Sequence, residues 1–308
     1  MKLVEKIEKL KKERNAVILA HNYQLPQIQD IADYVGDSLG LSIQAASTGA
    51  DVIVFCGVHF MAETAKILSP GKTVLLPDEK AGCPMANMIT AQQLRSLKVK
   101  HPGAAVLSYV NTSAEVKAES DLCCTSANAV KMARDVLGEE RDIIFVPDRH
   151  LAGYVSSRSG RGFVLWNGWC PTHARILPED VIREKGLHPE ASVIAHPECT
   201  QEVRSLADEV ASTGGMCRYV KETEAEEIIV ATEVGIIHRL RKENPGKAFY
   251  PASGLAVCPN MKRTTLEKVF WSLEDMTHEI LVSEDIRVRA LGSIERMLRA
   301  EETQDGAI

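Results

Sequence analysis

Ala16-Val-Ile-Leu-Ala20 runs directly into His21-Asn22-Tyr23. An apolar run without polar alternation marks a strand buried on both faces, as parallel strands are. The polar cluster falls where such a strand ends. Similar runs follow at Asp51-Val-Ile-Val-Phe55, Thr73-Val-Leu-Leu76, Ala104-Ala-Val-Leu-Ser108, Asp142-Ile-Ile-Phe-Val146, Gly162-Phe-Val-Leu165, Ala191-Ser-Val-Ile-Ala195 and Glu227-Ile-Ile-Val-Ala231. Helix-length segments separate most of them, which predicts α/β layers on parallel sheets. Leu3, Ile7 and Leu10 predict a surface helix ending near Arg14, and Ile286, Ala290, Ile294, Met297 and Leu298 share one face of a closing helix.

The strand-end cluster recurs. His21, Tyr109 and His196 hold the same place after three different strands, 88 and then 87 residues apart. Ser38, Ser126 and Thr213 repeat at 88 and 87, and the pairs Cys83-Pro84, Cys170-Pro171 and Cys258-Pro259 at 87 and 88. Three markers on one period predict three homologous three-layer αβα units, each on a small parallel sheet. The expected boundaries are 1–101 (with the N-terminal helix), 102–188, and 189–308 (with the C-terminal helix). No Pro- or Gly-rich linker divides them, so compact packing is expected, around a pseudo-threefold axis with matching loops meeting at a central active site.

Composition narrows the function. Of 308 residues, 45% are apolar and 25% charged, ordinary for a globular protein. Thirty-six basic against 42 acidic residues leave a net charge of −6, so no broad basic face for nucleic acid is expected. No signal core opens the chain and no apolar run reaches membrane-spanning length. A soluble cytoplasmic protein is expected, with its 8 cysteines reduced.

Cys83, Cys170 and Cys258 are the first candidates for chemistry. Three thiolates converging on one point would hold a metal or cluster. The absence of a C-x-x-C pair argues against an ordinary structural zinc site, and three thiolates suit an iron–sulfur cluster with one open iron. Cys56, Cys123, Cys124 and Cys217 read as packing residues, with Cys199 held open beside Glu198. His21, Tyr23, Tyr109, Asn111, His196 and Glu198 supply donors, acid/base groups and a single carboxylate, so Glu198 is the candidate general base. Ser38, Ser126 and Ser212-Thr213 read as helix N-caps that together form an anion site. Ser69-Pro-Gly-Lys-Thr73 is not a P-loop, because Lys66 stands where the first glycine belongs and the segment precedes a strand.

Taken in order, these motifs resemble the quinolinate synthase family. The matching segments are Ala20-His21-Asn22-Tyr23-Gln24, Asp30-Ile-Ala-Asp33, Gly36-Asp37-Ser38, Phe60-Met-Ala-Glu63, Cys83-Pro84-Met85-Ala86-Asn87, Tyr109-Val-Asn111, Thr125-Ser-Ala-Asn128, Cys170 with His173, His196-Pro-Glu198, Ser212-Thr-Gly214, and Cys258 with Asn260-Met-Lys262. The resemblance implies one [4Fe-4S] cluster per chain on Cys83, Cys170 and Cys258. It implies condensation of iminoaspartate with dihydroxyacetone phosphate to quinolinate for NAD biosynthesis, and functional coupling to an iminoaspartate-producing enzyme. Carried over by position, Tyr23, Glu198, His196 and His21 are implied to be catalytic. His21, Ser38, Tyr109, Asn111, Ser126, His173, His196, Glu198, Ser212 and Thr213 are implied to contact substrate. The C-x-x-C pair that some members carry near the C-terminus is absent here. Two alternatives stay open at this point: a zinc-dependent lyase using the three thiolates, and a non-enzymatic iron–sulfur sensor of a dicarboxylate.

Overall fold

A computed structural model describes residues 2–138 and 142–305. Among the described residues twelve strands form three separate four-stranded sheets. The first contains β1 (Ala16–His21), β2 (Tyr34–Gly36), β3 (Val52–Cys56) and β4 (Thr73–Leu75). The second contains β5 (Ala105–Tyr109), β6 (Leu122–Cys124), β7 (Ile143–Val146) and β8 (Phe163–Leu165). The third contains β9 (Ser192–Ala195), β10 (Glu209–Val210), β11 (Glu227–Ala231) and β12 (Ala248–Pro251). Strand order is the same in all three, β2-β1-β3-β4 and its equivalents, and every pairing within them is parallel. The apolar runs supply the central strands, and every residue of β3, β5, β7 and β9 is buried. The expectation of three α/β units with small parallel sheets is met.

Side chains repeat as well as strands. Asp33, Asp121 and Asp208 sit at the repeat spacing, before β2, β6 and β10. Each accepts a peptide N–H from the first strand of its unit: Ile18 at 2.8 Å, Val106 at 2.7 Å and Val193 at 2.8 Å. A carboxylate paired with a buried N–H fixes where the edge strand begins.

The helix after each Cys-Pro turn leaves its own sheet and covers the next. Leu94 of Ala91–Lys100 packs with Val106 and Ile144 of the second unit. Val181 of Pro178–Leu187 packs with Val193 and Ile229 of the third. Val269 and Leu273 of Leu266–Asp275 return to Ile18 and Val54 of the first. Each exchanged helix therefore fills an apolar face its neighbour cannot cover alone. The closing helix, Glu284–Asp305, buries Ala290, Ile294 and Met297 in the main core and lies against Ala114–Ala118 and β6 of the second unit. Among the described residues no helix is long and apolar enough to cross a membrane.

Candidate active site

The carboxyl ends of the strands in all three sheets open on one cavity. Its wall includes His21, Tyr23 and Ser38 from the first unit, Tyr109, Asn111 and Ser126 from the second, and His196, Glu198 and Thr213 from the third. Cys83, Cys170 and Cys258 line the same cavity. Loops separated by 88 and 87 residues in sequence thus meet in space, as ligand sites at strand ends do.

The three cysteines are held alike. Each precedes a single 3-10 turn: Ala86–Met88, His173–Arg175 and Met261–Arg263. Peptide N–H groups of that turn point back at the sulfur. Ala86 and Met85 donate to Cys83, His173 to Cys170, and Met261 and Asn260 to Cys258. Two of the cysteine N–H groups are in turn bound by buried carboxylates, Cys170 by Asp148 at 3.1 Å and Cys258 by Glu233 at 3.0 Å. Burial pushes the Cys83 thiol up to about 12 and raises Cys170 and Cys258. At neutral pH only a bound cation would draw such thiols into the thiolate form. Donors aimed at each sulfur are what a ligating thiolate needs, so the set fits a thiolate-held metal group.

A single small ion is a different matter. Among the described residues, the group whose ligand atoms all lie within 4.8 Å of one another is Cys170, His173 and Glu198, and the three thiols do not form such a group. Zinc, with Zn–S bonds of about 2.3 Å, would require them to. Thiols that face one cavity without closing on one point suit a larger cluster.

A continuous chain of polar contacts crosses the site. The Tyr23 hydroxyl lies 2.6 Å from Thr232 Oγ1, which lies 2.8 Å from His173 Nε2. His173 Nδ1 lies 2.7 Å from Glu198 Oε2, and the Tyr109 hydroxyl donates to Glu198 Oε1 at 2.6 Å. Donors and acceptors match along one direction: Tyr23 to Thr232, Thr232 to His173, His173 to Glu198. Burial alone would raise the Glu198 carboxyl, but His173, His196 and Tyr109 outweigh it and hold it well below the usual carboxylate range. Glu198 is therefore ionised. Tyr23 and Tyr109 are pushed the other way, by burial and by the Glu198 charge, and remain protonated.

His21 and His196 repeat in detail. Nδ1 of each accepts the N–H two residues on, Tyr23 and Glu198, at 3.2 Å in both cases. This assigns the proton of each neutral ring to Nε2. Burial lowers His21 to about 4 and His196 to about 3, so both are neutral donors. His196 also stacks on His173, with centroids 4.7 Å apart.

The hydroxyl turns differ from expectation. Ser38 is the first residue of its helix, and Asp37 is the cap, accepting from Gly40 N–H at 2.9 Å. Ser126 caps nothing, because the residue before the following helix is Asn128, whose Oδ1 takes the Thr125 N–H, and that helix runs on through Met132–Val136. Ser212 is a true cap, bonded to Gly215 N–H and to Asp37, and stands behind Thr213 rather than in the cavity wall. The preference of serine and aspartate for the same cap geometry explains the misreading at Ser38. Ser38, Ser126 and Thr213 still line the cavity. Asn111 Oδ1 is buried there without a partner, an acceptor left open inside the site.

Four polar residues of the site escaped the sequence reading. Thr232 and Glu233 follow β11, Asp148 follows β7, and Thr172 stands beside Cys170. The first three sit just past the third strand of a unit, the other central strand of its sheet, so extending the strand-end rule to every central strand finds them. Cys199 is now placed: it is fully buried, with its thiol on the Ala231 carbonyl, and packs outside the cavity.

Comparison with known proteins agrees with this architecture. The family profile described as Quinolinate synthetase A protein matches residues 5–299. The chain belongs to the quinolinate synthase family. It is 58% identical over 294 residues to a quinolinate synthase of Dehalococcoides mccartyi (strain CBDB1), covering 96% of this chain and 97% of that one. It is 55% identical over 296 residues to one from Methanosarcina barkeri, covering 96% and 97%. It is 55% identical over 292 residues to one from Geotalea uraniireducens, covering 95% of each. As a quinolinate synthase family member the chain is an enzyme with small-molecule substrates.

Proposed function

We propose that this enzyme condenses iminoaspartate with dihydroxyacetone phosphate to quinolinate, releasing phosphate and two waters, as a step in NAD biosynthesis. Cys83, Cys170 and Cys258 would hold one [4Fe-4S] cluster. The supporting observation is the single cavity in which three equivalent cysteines, each with peptide N–H donors on its sulfur, face the Tyr23–Thr232–His173–Glu198 chain. When bound, the cluster supplies a Lewis-acidic iron without a protein ligand.

The protein's own residues account for the rest. Among the described residues no Lys or Arg lines the cavity. The carboxylates and phosphate of the substrates would therefore be met by neutral donors: the His21 and His196 Nε2–H groups, the Ser38, Ser126 and Thr213 hydroxyls, and peptide N–H groups at the start of Ser38–Ser47. Asn111 Oδ1 offers an acceptor to a substrate hydroxyl or imine N–H. Glu198, ionised and held by Tyr109 and His173, is the carboxylate placed to accept a substrate proton, and the groups that hold its charge also make it a weaker base than a free carboxylate. Tyr23, protonated, stands at the other end of the chain through Thr232 and His173, whose donors point from its hydroxyl towards Glu198, so a proton taken up at Tyr23 is passed to Glu198. Holding both substrates in one cavity removes the entropy of encounter, of order 7–11 kcal/mol at best. An enzyme producing iminoaspartate is the functional partner this reading requires.

Anaerobically purified protein should carry about four irons and four sulfides per chain and form quinolinate from the two substrates. Zinc without acid-labile sulfide would replace this reading with the zinc lyase. A full cluster and tight dicarboxylate binding without turnover would replace it with the sensor.

A further inference from the structure

Three side chains outside the cavity, two buried and one half-buried, occupy one repeat position. Gln29, Lys117 and Arg204 lie 88 and then 87 residues apart, each on the short helix after the first strand of its unit: Pro26–Ile31, Ala114–Ala118 and Gln201–Arg204. Each turns its donor back onto the strand-end loop that carries the catalytic side chains. Gln29 Nε2 lies 3.2 Å from the Asn22 carbonyl and 2.9 Å from that of Gln24, the two peptides flanking Tyr23. Arg204 binds the carbonyls of Pro197 and Cys199, which flank Glu198. Lys117 Nζ donates to the Thr112 carbonyl, next to Asn111. Gln24, Thr112 and Cys199 are themselves equivalent, each three residues past the aligned His21, Tyr109 and His196.

The same donors reach across unit boundaries. Gln29 Nε2 also lies 2.9 Å from the Gly235 carbonyl of the third unit, so its two hydrogens are shared among three carbonyls. Arg204 also binds the His150 carbonyl of the second at 2.9 Å. Lys117 sits over the Phe60 ring of the first, 5.4 Å from its centroid. The links run first to third, third to second and second to first, and so close a ring.

We propose that Gln29, Lys117 and Arg204 are repeat-equivalent positioning residues, each fixing one catalytic strand-end loop and tying it to a neighbouring unit. The chemistry at the three places is unrelated: an amide, an ammonium and a guanidinium. What they share is N–H donors and enough length to reach a carbonyl that would otherwise be buried unpaired. A purely local structural need would not also select a second target on another unit in every case. Holding three loops from three units against one cavity is a need of the active site, where a misplacement of about 1 Å can cost of order 10²-fold in rate. The kinetic half of this inference rests on the function proposed above.

The test compares donor-removing with donor-keeping variants in anaerobically prepared holoenzyme. Gln29→Met and Arg204→Met remove the donors at similar length, and Arg204→Lys keeps one. Amide hydrogen exchange should quicken at residues 22–24 in Gln29→Met and at 197–199 in Arg204→Met, with the other loops unchanged. kcat should fall about tenfold or more while KM and iron content stay near native, and Arg204→Lys should recover most of it. Native exchange in those loops together with native kcat in Gln29→Met would overturn the proposal. So would destabilisation spread evenly over the chain with unchanged turnover of the folded fraction. If Arg204→Met does not fold, the uncharged Gln29→Met decides alone. If the native enzyme forms no quinolinate, the functional reading fails, and the exchange pattern still decides whether these residues position the loops.

Discussion

His173 Nδ1 and Glu198 Oε2 lie 2.7 Å apart, joining the first residue of the second unit's cysteine turn to the strand end of the third. Both side chains are almost fully buried, and Tyr109 closes the other carboxylate oxygen. The carboxylate is thus ionised, oriented and shielded from water.

Glu198→Gln keeps the shape and removes the charge and the basicity. One of the two donors, His173 Nδ1–H or the Tyr109 hydroxyl, would then face an amide NH2 instead of an acceptor, and the relay from Tyr23 would lose its charged end. We expect kcat to fall at least about 10²-fold, the usual size of a general-base contribution. The cluster content should stay native, because no cysteine is touched. A quinolinate assay beside an iron count checks both. Native kcat in Glu198→Gln would remove Glu198 from the chemistry.

The cysteines divide by what their sulfurs meet. Cys83→Ala, Cys170→Ala and Cys258→Ala should each give colourless protein with iron and sulfide near zero after anaerobic purification. Cys56→Ala and Cys199→Ala should keep the full cluster. Cys56 is buried in β3 and Cys199 bonds a carbonyl, so each is a small core residue whose loss costs stability of order 1 kcal/mol rather than metal. Full occupancy in Cys170→Ala would refute the ligand set.

Much of this was legible because the repeat is written in polar residues at strand ends. Apolar runs of four or five located eight of the twelve strands. The missed ones, β2, β6, β10 and β12, are edge strands, most of only two or three residues, too short for a periodic signal. The exchange of the helices after each Cys-Pro turn was not legible, because an amphipathic helix states which face is apolar and not which sheet will receive it. Thr232 and Asp148 were missed for a different reason. Neither belongs to the set of first-strand clusters, and a lone threonine or aspartate after a strand reads as a cap. The role of Thr232 exists only through contacts with residues of other units, while Asp148 is indeed the cap of the helix that follows it and spends its second oxygen on the Cys170 N–H.

Gly235 is required by crowding. A Cβ there would lie 2.8 Å from the Tyr23 carbonyl, 2.8 Å from Glu233 Oε2 and 2.6 Å from Lys262 Nζ. Lys262 could swing away, but the Tyr23 carbonyl is backbone and Glu233 is pinned by the Gly235 and Cys258 N–H groups. Gly235→Ala should therefore cost about 1–3 kcal/mol in urea unfolding. It should also lower kcat, since the atom that must yield belongs to Tyr23. A stable variant with native kcat would show that the loop has slack.

The buried neutral histidines set a pH dependence of stability. His21 ionises near 6.5 in the unfolded chain and is lowered to about 4 in the fold by burial, against the pull of Asp37 and Glu198. Below 6.5 the unfolded state takes up a proton that the folded state refuses. Stability is therefore lost as pH falls from about 6.5 towards 4, and nothing is lost from this group above 6.5. His196, lowered to about 3, acts in the same direction over a wider window. A shift of this size at a fully buried group corresponds to roughly 3 kcal/mol for His21 alone. His21→Asn has no such proton to take up, so its urea midpoint should fall less steeply than native between pH 6.5 and 5.5. That window lies above the pH at which both histidines would be charged in the fold, so the comparison isolates the unfolded-state proton. Parallel native and His21→Asn curves would show that His21 keeps an ordinary pKa, and with it a charged ring available to bind an anionic substrate.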